Sequence, residues 1–114
     1  TTDCQPVAGA WLDFWQTDAA GQYDNAGYRL RGHQLTDENG RFELETVLPG
    51  EYPGRTMHIH VKVQPPNGDV LTTQLFFPGA AGNQTDRIFA EELLVELTET
   101  ADGLRGDFNF IVEP

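Results

Sequence analysis

Apolar and polar residues alternate with a period of two in several short stretches of this chain, the pattern of half-buried β-strands. From Ala8 to Trp15, the residues Ala10, Leu12 and Phe14 take one face and Trp11, Asp13 and Trp15 the other. Tyr28 to Leu35 reads as a short strand, and Arg41 to Thr46 as another with Phe42 and Leu44 on one face. His58 to Val63 and Val70 to Phe77 follow, and Leu93 to Thr98 with Asp107 to Val112 reads as a closing hairpin around Ala101-Asp102-Gly103. Asp37-Glu38-Asn39-Gly40 and Pro65-Pro66-Asn67-Gly68 carry turn chemistry, because Gly and Asn tolerate positive φ and Pro presets a bend. Thr17 to Gly27, Leu48 to Gly54 and Pro78 to Gln84 read as loops, and residues 86 to 91 suit one helical turn. Strands recurring at this spacing predict an all-β fold, a β-sandwich, over residues 1–114 as a single domain.

Charge narrows the function classes. Eighteen acidic residues against seven basic ones give a net charge of −11. Such a surface repels nucleic acid and anionic membranes, so neither is expected as a partner. No stretch approaches the ~20 apolar residues of a membrane span. Lys62 is the only lysine, a composition that suits a halophile's surface or an Arg-biased genome. The single Cys4 excludes an intrachain disulfide and a Cys-based zinc finger. The chain starts at Thr1 without a leader and reads as a mature chain or an excised domain, leaving cytoplasmic and secreted locations both open.

The candidate chemistry lies at His58-Ile59-His60, two of the three histidines. Side chains at i and i+2 of a strand leave the same face, so two imidazoles project together. One reading is a surface His beside a hydrogen-bonded core His; the other is half of a metal site. Tyr52 precedes His58 by six residues across a Pro/Gly loop that can fold it back over the strand, and Tyr23 lies in a Gly-rich loop. Each tyrosine alone suits an amphipathic rim position. Taken with two imidazoles, two phenolates make a hard anionic donor set that favours ferric over ferrous iron, with one net positive charge. A trivalent cation can deprotonate a phenol whose free pKa is about 10. Arg55, three residues before His58, suits either a surface ion pair or stabilisation of an anion developing on a substrate.

Several segments together resemble the intradiol ring-cleavage dioxygenases, in particular their small, often secreted branch. They are Trp15-Gln16-Thr17-Asp18-Ala19-Ala20-Gly21-Gln22-Tyr23-Asp24, Leu30-Arg31-Gly32, Thr36-Asp37-Glu38-Asn39-Gly40-Arg41-Phe42, and Pro49-Gly50-Glu51-Tyr52 through Arg55 to His58-Ile59-His60. The match runs from about Cys4 to Gly79, and Asp102-Gly103-Leu104-Arg105-Gly106 fits more loosely. The resemblance implies a transthyretin-like β-sandwich holding a mononuclear non-haem Fe(III). Tyr23 and His58 would be its equatorial ligands, and Tyr52 and His60 its axial ones. A catechol-type substrate would chelate the iron, Tyr52 would take up a substrate proton, and O2 would attack the activated ring to give a cis,cis-muconate. Arg55 would stabilise the carbanionic substrate, Gln74 and Trp15 would join it in binding substrate, and Trp15 would also pack beside the first ligand tyrosine.

The chain departs from the family pattern in three places. The family's N-terminal segment, which helps close the pocket and often mediates assembly, is expected to be lacking, and the sequence leaves a homo-oligomer open. Only five residues separate Tyr52 from His58, which suggests an open, shallow pocket. Thr17 stands where secreted relatives often have a cysteine, leaving Cys4 without an evident partner. The alternative is a non-catalytic transthyretin-like or carboxypeptidase-regulatory-like module, which explains the strands but not Tyr23, Arg55, His58 and His60 together. A His-x-His copper or zinc hydrolase lacks a carboxylate ligand or general base at matching spacing.

Overall fold

A computed structural model describes residues 1–23 and 30–113. Six strands are present among them: β1 Trp11–Trp15, β2 Arg31–Leu35, β3 His58–Gln64, β4 Leu71–Phe76, β5 Glu96–Thr100 and β6 Gly103–Asp107. The first four form an antiparallel sheet in the order β2-β1-β3-β4, and β5 and β6 form an antiparallel hairpin. No helix among the described residues is long and apolar enough to cross a membrane.

The two-residue alternation sets what each face of the sheet does. Leu12 and Phe14 of β1, Ile59, Val61 and Val63 of β3, and Leu75 of β4 all point into the core with Phe77. They pack against Val95 and the partly buried Met57, and against Phe42, Leu97, Phe108, Phe110 and Val112 from the other side of the core. Phe42 bridges the two sides, its ring 5.8 Å from Phe14 and 5.6 Å from Phe110. Each fully buried aliphatic or aromatic side chain here contributes about 1.5–3 kcal/mol.

The opposite face carries the chemistry. Strand register puts Arg31 of β2, Trp15 of β1, His60 of β3 and Gln74 of β4 in one row across the sheet. His58 lies in the neighbouring row, opposite Phe76.

Four expectations need correction or a limit. Arg41 to Thr46 is not a strand. The backbone N–H of Glu43 donates to Gln34 Oε1 (3.0 Å), and Gln34 Nε2 donates to the Glu43 carbonyl, so a side-chain carboxamide replaces the strand partner. The strand expected from Tyr28 begins at Arg31, and residues 28 and 29 lie outside the described residues. The closing hairpin keeps its turn but not its arms. Thr100 pairs with Gly103, so a two-residue link fixes the register and the second arm is Gly103–Asp107. The alternation of Phe108, Phe110 and Val112 reflects burial against the core rather than strand pairing. Residues 86 to 90 form no α-helix but one turn, closed by the Phe89 N–H on the Asp86 carbonyl (3.3 Å), and 3₁₀ turns lie on either side at Ala81–Gln84 and Glu91–Leu93. Asp86 Oδ1 accepts the Ile88 N–H at 2.8 Å.

Candidate metal centre

Three segments deliver the four candidate donors. His58 and His60 leave the same face of β3. His58 is buried, and its Nδ1–H donates to the Thr56 carbonyl at 2.7 Å, which turns Nε2 outward as the available lone pair. Tyr52 sits at the start of a tight turn closed by the Arg55 N–H on the Tyr52 carbonyl (2.9 Å), with Gly54 at φ +82°. Tyr23 follows a turn in which Asp18 Oδ1 accepts the N–H groups of Ala20 (2.9 Å) and Gln22 (3.0 Å).

The two tyrosine loops are locked backbone to backbone. The Gly50 N–H donates to the Asp18 carbonyl (2.8 Å), and the Thr17 hydroxyl donates to the Gly50 carbonyl (2.9 Å). A Cβ on Gly21, itself at φ +81°, would lie 2.3 Å from the Glu51 carbonyl oxygen, and one on Gly50 would lie 2.4 Å from the Gly21 nitrogen. Only glycine permits this approach at both positions. Gly50→Ala is therefore expected to destabilise the domain by about 1–3 kcal/mol in denaturant unfolding and to separate Tyr23 from Tyr52.

The donor atoms converge. Tyr23 Oη lies 2.8 Å from His60 Nε2, 3.2 Å from Tyr52 Oη and 3.3 Å from His58 Nε2. His58 Nε2 lies 3.1 Å from His60 Nε2 and 3.5 Å from Tyr52 Oη. With the His58 proton on Nδ1, the four atoms carry at most three protons between them, too few to join five close pairs as hydrogen bonds. Donors sharing a cation at about 2 Å, by contrast, sit about 2.8–3.5 Å apart when they subtend angles of roughly 90–120°. The set thus fits one metal ion better than it fits a hydrogen-bond network.

Electrostatics agrees with that fit. Burial pushes the His58 and His60 pKa values down, His60 to about 4 with help from His58 and Arg55, so both rings are neutral lone-pair donors at pH 7. Burial, and then the Tyr52 phenol, push the Tyr23 pKa up, so ionising Tyr23 needs a strong local cation. Among the described residues no group of three or more His, Cys, Asp and Glu converges as a metal site, so any ion here depends on the phenols.

The other predicted residues surround this centre. The Trp15 indole stacks on His60, ring centroids 4.8 Å apart and planes within 2°. Arg55 Nη2 donates to Gln74 Oε1, which brings Gln74 to the site through the arginine. Arg55 Nε donates to Asp86 Oδ2 at 2.8 Å. A cavity of about 350 Å³ is lined by Tyr52 and Arg55 together with Glu51, Gly82 and Thr85. The sequence reading missed Asp86, Thr56 and Asn83. The one available signal was the polar run Asn83-Gln84-Thr85-Asp86 just past β4, which looks like an ordinary loop.

Comparison with known proteins follows the same line. A family model described as "Dioxygenase" matches residues 1–114. The chain is 30% identical to 6-chlorohydroxyquinol 1,2-dioxygenase of Cupriavidus pinatubonensis, over 98% of this chain and 50% of the relative. Among solved structures it resembles the dioxygenase domain of a dioxygenase carbohydrate-binding protein fusion from Streptomyces sp. SirexAA-E, with TM-score 0.94 and 50% identity over 96% of this chain and 71% of that one. It also resembles 3-chlorocatechol 1,2-dioxygenase from Rhodococcus opacus 1CP, with TM-score 0.80 and 31% identity over 92% of this chain and 52% of that one. The chain spans about half the length of the first of these, a curated relative.

Proposed function

This chain belongs to the intradiol ring-cleavage dioxygenase family, and we propose that it cleaves catechol-type rings between their two hydroxyls, using O2 and a mononuclear Fe(III) held by Tyr23, Tyr52, His58 and His60. One observation carries the reading: five of the six pairs among the four donor atoms lie within 2.8–3.5 Å. These four side chains would hold the ion together. The ferric ion, when bound, supplies the Lewis acidity and redox chemistry that activate a chelated catecholate.

The side chains do the rest. Tyr52 stands on a loop and lines the cavity, so its Oη is the donor best placed to accept a substrate proton. The Arg55 guanidinium stabilises negative charge developing on the ring. Gln74 holds that guanidinium from β4, and Trp15 packs on the far side of His60. A non-catalytic transthyretin-like module is not favoured: nothing in such a module calls for four converging donors, and the curated relatives carry the names of ring-cleaving enzymes.

The cavity favours uncharged catechols. Glu51 lines it without an ion pair among the described residues, while Arg55 is already paired with Asp86. A ring carboxylate would be repelled by Glu51, while the charge of Arg55, the one cation lining the cavity among the described residues, is already offset by Asp86. The test is oxygen uptake by iron-loaded protein with catechol, hydroxyquinol and protocatechuate, with products identified. The expected result is muconate-type product, with kcat/KM for the first two exceeding that for protocatechuate by about tenfold or more, equivalent to roughly 1.4 kcal/mol. Ring opening outside the hydroxyls, or no oxygen uptake by the iron-loaded protein, would overturn the reading.

A further inference from the structure

We propose that Asp86 is a positioning residue of this site: a single buried carboxylate fixes the Arg55 guanidinium and, through Thr56, the His58 imidazole. The proposal rests on the ring-cleavage role given to Arg55 above. The Asp86 side chain is fully buried, and the Arg55 side chain is only 16% exposed. Asp86 Oδ2 accepts from both Arg55 Nε and the Thr56 N–H, each at 2.8 Å, while Oδ1 accepts the Ile88 N–H at 2.8 Å. With Nη2 bonded to Gln74, the guanidinium is held at two points, which fixes its plane and leaves its other N–H groups for a substrate anion.

The second arm runs through Thr56. This residue is 1% exposed and is held on every polar atom. Its N–H meets Asp86, its hydroxyl meets Asn83 Oδ1 (2.6 Å), and its carbonyl accepts His58 Nδ1–H (2.7 Å). Asn83 is itself tied to the Phe77 carbonyl at 2.8 Å. The turn after β4 therefore clamps the segment between the arginine and the first histidine. A partner that fixes the tautomer and orientation of a ligating imidazole is typically needed for full metal affinity.

A carboxylate is required here, and not merely a polar group of that shape. Asn offers one acceptor oxygen and one NH2 group. Whichever way it is flipped, its NH2 faces either the Arg55 and Thr56 donors or the Ile88 N–H. Burial would raise the Asp86 pKa, but the hydrogen bonds from Arg55, Ile88 and Thr56 outweigh it and hold the group ionised.

The test compares Asp86→Asn, Arg55→Met and the double variant, each measured for kcat, KM and ferric iron affinity by chelator competition. Asp86→Asn is expected to lower kcat by about 10–100-fold with KM little changed, and to weaken iron binding by about tenfold. In the Arg55→Met background the same substitution should add little further loss of kcat, because its effect runs through the missing guanidinium. Unchanged kcat in Asp86→Asn, or losses that multiply with those of Arg55→Met to within about twofold, would overturn the proposal. If Asp86→Asn alone does not fold, the double variant, which carries neither buried charge, is compared with Arg55→Met. Iron affinity lower by about tenfold supports the proposal, and equal affinity overturns it. Wild-type protein that binds iron but takes up no oxygen defeats the ring-cleavage reading alone; the iron-affinity comparison then still decides the role of Asp86.

Discussion

Iron-loaded His60→Ala is expected to lose its visible tyrosinate-to-iron colour and to hold ferric iron less tightly by on the order of 100-fold or more, beyond the about 10–100-fold that loss of an outer partner typically costs. The His60 Nε2 atom lies 2.8 Å from Tyr23 Oη and 3.1 Å from His58 Nε2, so its removal takes one corner from the donor set. No further His, Cys, Asp or Glu among the described residues joins the two histidines to replace it. His33 provides the control. It lies exposed on β2, away from the converging donors, and His33→Ala should keep full iron and full colour. Visible absorption with metal analysis reads both variants. Retention of stoichiometric iron and colour by His60→Ala would contradict the assignment of this ligand.

Arg55→Met separates binding from turnover. The guanidinium bonds to Asp86 and Gln74 rather than to any of the four donors. Iron and colour should therefore persist while kcat falls by about 10²–10³, the usual cost of removing one preorganised donor from a developing anion. The same substitution strands the Asp86 carboxylate in the interior, which destabilises a protein by about 3–5 kcal/mol. The pH dependence has a defined sign. Pairing holds the Asp86 pKa below its ordinary value of 3.8. The stability this contributes is present above 3.8 and is lost as pH falls through the depressed folded value. The unfolding free energies of wild type and Arg55→Met should thus converge in acid and stay apart at neutral pH. A gap that widens on acidification would exclude the pair as its source.

How much of this was legible in the sequence depends on whether the cause was local. The alternation in Leu12-Asp13-Phe14 and in His58-Ile59-His60-Val61 fixes which side chains share a face, and a two-residue period needs no knowledge of the partner strand. The β-sandwich followed from repeating that pattern between turn residues. Tyr23 and Tyr52 were found as residue types in suitable loops, but their approach depends on Gly21 and Gly50 touching across 29 residues of sequence. No local rule predicts that contact. Asp86 was hidden for a similar reason. An aspartate in a polar run reads as a solvated turn, and only the return of the chain over β3 places it in the interior beside Arg55. Arg41 to Thr46 misled in the opposite direction, because Phe42 alternates into the core while the backbone of Glu43 takes its partner from the Gln34 side chain.

The indole of Trp15 lies flat against His60 on one side, with Arg31 Cζ 5.4 Å and Lys62 Nζ 5.8 Å from its ring centre. A fluorophore is thereby built onto one of the four donors. Trp11, the other tryptophan, lies on the same strand next to His33 and supplies a steadier reference emission. Arrival of a light-absorbing paramagnetic ion should dim the first indole far more than the second, so the protein reports its own metallation in ordinary emission spectra without any added dye.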